Sequence, residues 1–370
     1  MEPWEWPYLT QIKPPEVGDV GRRASVWAAV PVAVSASRAP AAPVATAVAA
    51  APPRPWLARL HPSLFGMALG LLGLAGAWLR LGRAGLAGAQ AVGDTLLEGA
   101  LALLALMLVL WIAKLLRHGD VLRQEWRHPV QGALLALMPV ATMMAVALVA
   151  GRWPALLPAM VPVAAAVLIG QAVMAWHVVA DLSTGKTPPE WVTPALYLPT
   201  VPGGFVGAMA LEALGLHGWA SLLMGMGLGA WALLEMRILN RLFAGPLPPA
   251  LRPTLGIEMA PAAVGSLAVC ALWPALPADA LMVMLGLASG PVLAVLTRWR
   301  YWSEVPFNVG FWSFSFPLAA FASTTVEAVR RGDWPLWVGT LAVAVASAVI
   351  AYLLARTLVL LVQGRLLPPV

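Results

Sequence analysis

Ten apolar runs, each close to the length of a membrane-spanning helix, occupy most of this chain. We predict spans at 62–81, 93–115, 129–150, 154–179, 192–214, 217–241, 253–273, 277–298, 305–329 and 334–361. A helix of about 20 apolar residues crosses the hydrocarbon core of a bilayer. The runs are continuous rather than alternating, which excludes a transmembrane β-barrel. The pattern predicts an all-α polytopic membrane protein with ten transmembrane helices.

Composition excludes the other broad classes of protein. Of the 370 residues, 60% are hydrophobic and only 11% are charged, which is far from the balance of a soluble domain. The single cysteine, Cys270, lies inside an apolar run, so we expect neither a disulfide framework nor a thiol metal site. A formal net charge of +6 would suggest nucleic acid binding in a soluble protein, but here the basic residues cluster between the spans. We expect the lipid bilayer as a partner and no nucleic acid.

The distribution of Lys and Arg predicts the orientation of the chain. Eighteen lie in the N-terminal segment, in the connections after spans 2, 4, 6 and 8, or at the C-terminus, against five on the other side. Without the N-terminal segment the ratio is still 12 to 5. Basic residues concentrate on the cytoplasmic side of a membrane. Both termini are therefore predicted to be cytoplasmic, in a plasma membrane of the bacterial inner-membrane type.

The first 55 residues differ from the rest of the chain. They are rich in Ala, Pro and Val and show no sustained periodicity, which is typical of disorder. We predict a disordered cytoplasmic tail at 1–55 and a ten-helix transmembrane domain at 56–365.

The spans alternate in character, which predicts five helical hairpins. Odd-numbered spans begin at nearly regular intervals, and spans 3, 5, 7 and 9 each hold a proline at a comparable depth. These prolines are Pro139, Pro199, Pro202, Pro261 and Pro317, while span 1 carries Gly70 among four glycines. Proline frees a backbone carbonyl, which is tolerated at membrane depth where protein or water satisfies it. The odd spans are expected to share one bent geometry; the alternative is the general enrichment of Gly and Pro in membrane helices.

The ninth span holds the most unusual stretch, FNVGFWSFSFPLAAFASTTVE at 307–327. Five of the 8 phenylalanines of the chain lie in it. Four of them form one helical stripe suited to packing: Phe307, Phe311, Phe314 and Phe321. Phe316 lies about 200° away around the helix, next to Pro317. Its own face is otherwise mostly small and hydroxyl residues: Ser313, Ala320 and Ser323. Either this ring plugs a path, or it fills a gap between helices.

Ionisable residues inside spans are candidates for function when they lie deep in the membrane. Five glutamates fall within the predicted spans, each in the outer third: Glu98, Glu212, Glu235, Glu258 and Glu327. Glu235 and Glu327 are expected to pair with arginines that follow them closely in sequence. Glu258 is the deepest and is the candidate functional carboxylate. A midplane without charge favours a passive path over proton-coupled transport.

Histidine and motif patterns give no sign of catalysis. His61, His118 and His177 lie at span ends, where histidine is ordinary, and the chain has no His/Glu cluster. We therefore expect no metal site and no cofactor. The chain also has no nucleophile elbow and no phosphate-binding loop, which argues against an enzyme.

Five stretches resemble one known family. They are HPSLFGMALGLLGLAGAW (61–78), PALYLPTVPGGFVGA (194–208), LLEMRILNRL (233–242), LRPTLGIEMAPAAVG (251–265) and FWSFSFPLAAFA (311–322). From about residue 60 to 360 the chain resembles the TehA-like tellurite-resistance/dicarboxylate transporters, which are related to the plant guard-cell slow anion channels. The N-terminal tail finds no match, and Ala262 stands where a second proline after Pro261 is expected.

This resemblance implies a homotrimer of channel domains in which each protomer has its own central pore. The five odd helices would line the pore, the five even ones would surround it, and prolines would kink the inner helices. A phenylalanine that precedes the proline of the ninth helix gates such a pore, and the matching residue here is Phe316. The expected pore-lining or kink residues are Ser313, Pro317, Ala320, Ser323, Pro139, Pro199, Pro202, Pro261 and Gly70.

Three functions follow as hypotheses. The first is an anion channel or channel-like facilitator that passes small monovalent anions and is gated by a phenylalanine. The second is a secondary transporter that exports dicarboxylates or oxyanions such as tellurite. The third is a structural or sensory membrane protein whose pore is vestigial. The uncharged midplane favours the first.

Overall fold

The computed structural model describes residues 55–367, which contain ten helical spans and no strand. The spans run Pro62–Arg83, Ala89–Arg117, Pro129–Arg152, Pro154–Ser183, Pro194–Ala213, His217–Phe243, Pro249–Leu272, Ala278–Thr297, Val309–Arg331 and Leu336–Val362. The predicted all-α class with ten spans is confirmed. Apart from Pro55, the predicted tail at 1–55 lies outside the described residues.

Burial divides the spans into two sets. In the odd-numbered spans, 72 to 94% of the apolar window is buried, whereas in the even-numbered spans only 11 to 28% is buried. Span 1 packs against span 3, span 3 against span 5, span 5 against span 7, span 7 against span 9, and span 9 against span 1. Each odd span also packs against the even span that follows it. We call the odd spans the inner spans and the even spans the outer spans.

The inner spans change helix type along their length. Four of them begin as a 3-10 helix and continue as an α-helix: Pro62–Leu64 then Phe65–Arg83, Pro194–Tyr197 then Val201–Ala213, Pro249–Met259 then Ala260–Leu272, and Val309–Phe314 then Ser315–Arg331. Span 3 has two α-segments, Pro129–Leu134 and Leu137–Arg152.

The internal prolines occupy the first turn of the deeper α-segments. Pro202 and Pro261 are the second residue of theirs, and Pro139 and Pro317 are the third. N–H groups in the first turn of a helix have no partner within that helix, so the missing N–H of proline costs little there. These prolines therefore mark where an α-helix begins, rather than interrupting a continuous α-helix as the sequence suggested.

Backbone groups near these transitions are satisfied by side chains from neighbouring spans. Gln171, from outer span 4, donates from Nε2 to the carbonyl oxygens of Leu198 (3.2 Å) and Pro199 (2.6 Å). Ser313 donates to the carbonyl oxygen of Pro253 at 2.5 Å. Unpaired carbonyls are costly at membrane depth, and these hydrogen bonds remove that cost.

Shorter elements complete the described part of the chain. The α-helix Gly119–Arg127 connects spans 2 and 3, and the α-helix Trp299–Ser303 connects spans 8 and 9. Two 3-10 turns, Trp56–Arg59 and Pro189–Trp191, precede spans 1 and 5. Span 9 begins at Val309, four residues later than predicted, because Asn308 caps it by accepting a hydrogen bond from the Gly310 N–H at 2.8 Å.

Candidate functional site

A cavity of about 580 Å³ opens at the end of the bundle where the inner spans begin. All five inner spans contribute to its wall, through residues such as Leu69, Leu134, Pro202, Ile257 and Phe316. In every inner span, the lining residues stop within its first half. The cavity is therefore a blind vestibule: it enters the ring of inner spans and does not cross it.

Phe316 and Pro317 lie at the deep end of this vestibule. Phe316 is 4% exposed, and its ring lies against Gly73 of span 1, where an added Cβ would come within 2.8 Å of the ring. Beyond it on the same helix, Ala320 and Ser323 are buried and do not line the cavity. The Ser323 hydroxyl is buried without a hydrogen-bond partner among the described residues.

The other phenylalanine rings of span 9 have a different environment. The ring centroids of Phe307 and Phe311 are 5.6 Å apart and those of Phe311 and Phe314 6.1 Å apart, and Trp302 lies 4.7 Å from Phe314. These rings form a continuous aromatic stack, as expected of a packing stripe. Phe321 is not part of the stack and packs near Cys270. The stripe is therefore broken where the 3-10 segment Val309–Phe314 ends, because a 3-10 helix turns by about 120° per residue rather than 100°.

Of the other residues predicted to line or kink a pore, the structure brings only part to the vestibule. Ser313, Pro317 and Pro202 line it, whereas Pro139, Pro199 and Pro261 do not. Gly70 does not line it either, and its helix continues without interruption to Arg83. An added Cβ at Gly70 would come within 2.2 Å of Ser315 Oγ, so this glycine permits the close approach of spans 1 and 9.

Glu258 lies outside the vestibule lining. Its two carboxylate oxygens each accept a hydrogen bond from Arg298 Nη2 at 3.2 Å, which ties span 7 to the end of outer span 8. The carboxylate side chain is 8% exposed. The arrangement is that of a partly buried ion pair between neighbouring spans, since the Arg298 side chain is 34% exposed, and a functional role for Glu258 stays a prediction.

The partner expected for Glu235 was wrong. Its carboxylate accepts hydrogen bonds from the Tyr197 hydroxyl and from Trp231 Nε1, not from Arg237 or Arg241. The reason is helical geometry, because residues at i+2 and i+6 point away from residue i, whereas Trp231 at i−4 lies on the same face.

Glu327 pairs with Arg330 and Arg331 as expected, and it also contacts a third arginine, Arg80. Arg330 Nη2 lies 2.7 Å and Arg331 Nε 3.1 Å from its Oε2, and Arg80 of span 1 approaches Oε1 at 3.8 Å. This cluster joins spans 1 and 9 at the end of the ring opposite the vestibule. The inner ring is therefore open at one end and held together by ion pairs at the other.

The vestibule lining also contains basic residues that sequence analysis missed or set aside. These are His61, His128 and Arg365, and no Asp or Glu lines the cavity among the described residues. His61 was interpreted as an ordinary residue at a span end, and His128 was not singled out. A signal was present, because the dipeptide His-Pro opens both span 1 and span 3.

Both histidines cap the helical segment that follows them. The Nδ1 atom of His61 accepts a hydrogen bond from the Ser63 N–H at 3.2 Å, and that of His128 accepts from the N–H groups of Val130 and Gln131, each at 3.3 Å. Burial, with the charges of Lys114 and His128 adding to it, lowers the pKa of His61 to about 4. Burial also lowers the pKa of His128. Both rings are therefore neutral at neutral pH.

These features define a class of protein. Among the described residues, a ring of five buried spans is enclosed by five exposed apolar spans, and no acidic residue lines the vestibule that enters it. This is the architecture of a multi-pass membrane protein. The described residues contain no group of His, Cys, Asp and Glu that could hold a metal ion.

Comparison with known proteins identifies the family. The model of the voltage-dependent anion channel family, SLAC1, matches residues 59–358. The chain is 30% identical over 312 residues to the tellurite resistance protein TehA homolog of Haemophilus influenzae, a match that covers 83% of this chain and 92% of that protein. The chain therefore belongs to the SLAC1 family and is TehA-like, as its motifs predicted. This is a family of anion channels and transporters rather than of enzymes.

Proposed function

We propose that this protein is an anion channel or channel-like facilitator that passes small monovalent anions down their gradient, through a pore in each protomer that Phe316 gates. The observation that carries the proposal is the vestibule. Its wall comes from all five inner spans, it ends at Phe316, and no acidic side chain lines it among the described residues. Arg365 gives this lining a positive charge, which favours anions over cations at the entrance.

The proposed gate is the phenyl ring of Phe316. A phenyl ring that fills a narrow lumen excludes water, and hydrophobic constrictions close pores by dewetting. The buried, unpartnered hydroxyl of Ser323 supports a hydrated path beyond the ring, because such a hydroxyl gains a hydrogen bond when water reaches it. Movement of the ring away from Gly73 would then join the vestibule to that path.

Selectivity among anions should be weak in such a pore. Among the residues that the structure describes, no Lys or Arg side chain lines the deep end of the vestibule, so anion sites there cannot fully offset the cost of dehydration. Anions that lose their hydration shell more readily should therefore pass more easily, and we expect nitrate ahead of chloride.

Assembly and orientation are part of the proposal. We propose a homotrimer in the bacterial inner membrane with both termini cytoplasmic, so that the vestibule opens to the cytoplasm. The 12 to 5 ratio of basic residues between the two sides supports this orientation. The exposed apolar faces of the outer spans offer surface both for lipid and for contacts between subunits.

Flux through proteoliposomes tests the proposal directly. Nitrate or chloride flux should follow the imposed electrochemical gradient at fixed voltage, and a pH gradient alone should drive no accumulation. Uphill accumulation driven by a pH gradient would contradict a passive pore. Reversal potentials that report cation preference, or chloride ahead of nitrate, would contradict the proposed selectivity.

Two matched substitutions test the gate. Phe316→Ala should raise the anion flux several-fold with an unchanged yield of intact protein, because the space left by the ring joins an existing cavity. Phe314→Ala should lower the yield and leave the flux per protein unchanged, because it removes a member of the aromatic stack, and a buried Phe→Ala change costs about 3–5 kcal/mol. The reverse pair of results would place the gate at Phe314. Unchanged flux in both variants would show that the closure lies elsewhere.

A second candidate is a secondary transporter that exports dicarboxylates or oxyanions such as tellurite. Its support is the name of the Haemophilus influenzae relative, a tellurite resistance protein homolog. A counterflow experiment distinguishes the transporter from a channel. External unlabelled succinate or tellurite would accelerate efflux of the same labelled anion through a transporter, and it would not do so through a channel.

A further inference from the structure

The vestibule is larger and more apolar than a path for chloride or nitrate requires. Its volume of about 580 Å³ falls within the range of roughly 300–1,000 Å³ typical of small-molecule sites. Leucine, isoleucine, valine and the aromatic side chains of Trp and Phe make up half of the lining residues. A single small anion would leave most of this wall exposed to water, whereas an apolar molecule would cover it.

The ionisable groups of the vestibule wall favour a ligand with a negative charge. His61, His128 and Arg365 are the ionisable lining residues among those described; all three can donate hydrogen bonds, and Arg365 carries a positive charge. The two histidines are close in the fold, because the segment that follows His61, Pro62–Leu64, packs against Pro129–Leu134, which follows His128. A ligand that reached both rings would meet N–H donors and no carboxylate.

The capping hydrogen bonds fix which ring nitrogen can donate. Because Nδ1 of each ring accepts backbone N–H groups, the neutral ring must carry its proton on Nε2. Neither Nε2 atom has a hydrogen-bond partner among the described residues. Each ring therefore keeps one N–H donor for a ligand at neutral pH and needs no proton from solvent to use it.

The acidic residues near the two histidine rings do not oppose binding of an anion in the vestibule. Behind His61, Lys114 donates to the Leu60 carbonyl oxygen at 2.6 Å and pairs with Glu125 at 2.6 Å, so that the Glu125 charge is already neutralised. On the side of span 4, His177 lies against Trp126 and near Asp181, at 3.7 Å. Neither of these acidic residues lines the vestibule.

We propose that the vestibule is a binding site for monocarboxylates with an apolar body, whose carboxylate accepts hydrogen bonds from Nε2 of His61 and His128. The apolar body lies along the leucine and aromatic wall toward Phe316, and Arg365 at the mouth adds a positive charge. Such a ligand occupies the entrance to the path, so it blocks anion flux. The block rests on the proposed channel function, whereas the binding does not.

Three probes with the same apolar body test the site. They are 4-phenylbutyrate, 4-phenylbutanol and 4-phenylbutylamine, titrated calorimetrically into the purified full-length protein at pH 7.5. The carboxylate should bind at least tenfold more tightly than the alcohol, and the amine more weakly than either. Equal affinities for the three probes would overturn the proposal, because they would indicate an apolar pocket that does not recognise charge.

Substitutions at the histidines separate recognition from folding. Asparagine also caps helices, and its amide is shorter than an imidazole ring. The double variant His61→Asn, His128→Asn therefore keeps a cap acceptor and loses the donors at the Nε2 positions. Its preference for the carboxylate should fall to the part that Arg365 supplies, while its affinity for 4-phenylbutanol persists, which shows that the vestibule is intact. The matched control is His217→Asn, an exposed histidine that pairs with Glu212 and lies outside the vestibule, and it should bind as the unmodified chain does. A double variant that keeps the full preference for the carboxylate would overturn the assignment.

Flux measurements distinguish this inference from the proposed function. In proteoliposomes, 4-phenylbutyrate should inhibit nitrate flux at concentrations that track its dissociation constant, and the double variant should be relieved of inhibition. Carboxylate-selective binding without flux of any anion would contradict the channel proposal and support the site. Robust flux with no carboxylate-selective binding would contradict the site and support the channel.

Discussion

The inner and outer spans share one membrane but differ in how much of each span is buried inside the protein. At least 72% of the apolar window is buried in every inner span, and at most 28% in every outer span. The inner spans are, on average, the less apolar of the two sets. In water the more buried helix would be the more apolar one. In a bilayer the lipid is as apolar as a protein core, so close packing and hydrogen bonding, rather than apolarity, decide which helices lie inside.

The glycines show the same contrast. Inner-span glycines such as Gly70, Gly204 and Gly256 have a neighbouring atom within 3 Å of an added Cβ. Most outer-span glycines have no atom within 4 Å at that position, as at Gly99, Gly170 and Gly229. Glycine in the inner ring is therefore a packing requirement, whereas on the outer face it is largely free to vary.

Among substitutions that compare inner with outer spans, those that neutralise a carboxylate of an ion pair should differ most in their cost to stability. Glu327→Gln removes the buried carboxylate that pairs with Arg80, Arg330 and Arg331, and breaking a buried pair typically costs about 3–5 kcal/mol. The control is Asp94→Asn, which removes the exposed pair between outer span 2 and Arg152 and should cost about 0–1 kcal/mol. Thermal unfolding in detergent measures both, and equal shifts would show that the Glu327 cluster is solvated.

Glycine substitutions should give the next largest contrast. Gly70→Ala places a methyl group within 2.2 Å of Ser315 Oγ and should destabilise the protein by about 1–3 kcal/mol, since overpacking forces neighbouring groups apart. Gly229→Ala, on the outer face of span 6, should change stability little. Comparison of the monodisperse yield of the two variants checks this. A normal yield for Gly70→Ala would mean that spans 1 and 9 can separate without cost.

A contrast of similar size concerns an outer-span residue that hydrogen-bonds to an inner span. Gln171→Leu removes the donor to the Leu198 and Pro199 carbonyl oxygens, and leaving buried acceptors unpaired costs about 1–3 kcal/mol. Ser289→Ala is the control, because Ser289 only donates to Leu285 within its own outer helix. Thermal unfolding should separate the two variants; coincident curves would show that water replaces the amide of Gln171.

Much of the fold could be predicted because its signals are local in sequence. The thickness of the bilayer sets the length of a spanning helix, so the length of the apolar runs was enough to predict all ten spans. The motifs of the family lie mostly within those same runs. Phe316 lies at the end of the vestibule beside Pro317, and its role as a gate stays a prediction. The 3-10 segments were missed because 3-10 and α-helices bury the same residue types, so composition does not separate them.

The vestibule could not be predicted because it depends on contacts between distant parts of the chain. His61 and His128 are ordinary span-end residues until Pro62–Leu64 is seen to pack against Pro129–Leu134. The contact between Glu327 and Arg80 could not be predicted for the same reason, since Arg80 belongs to the first span and Glu327 to the ninth. Helical periodicity reports on neighbours three or four residues apart and carries no information at that range.

The pairing of Arg80 with Glu327 also has a consequence for biosynthesis. Arg80 is made roughly 250 residues before Glu327, which at about 5–20 residues per second is a delay of roughly 10–50 s. During that interval the first helix carries a guanidinium into the membrane before its counter-charge exists. The hydrogen bond from Arg80 Nη1 to the Gly76 carbonyl oxygen, within the same helix, is available throughout. Span 1 thus holds a provisional partner for its arginine while the ribosome completes the ring.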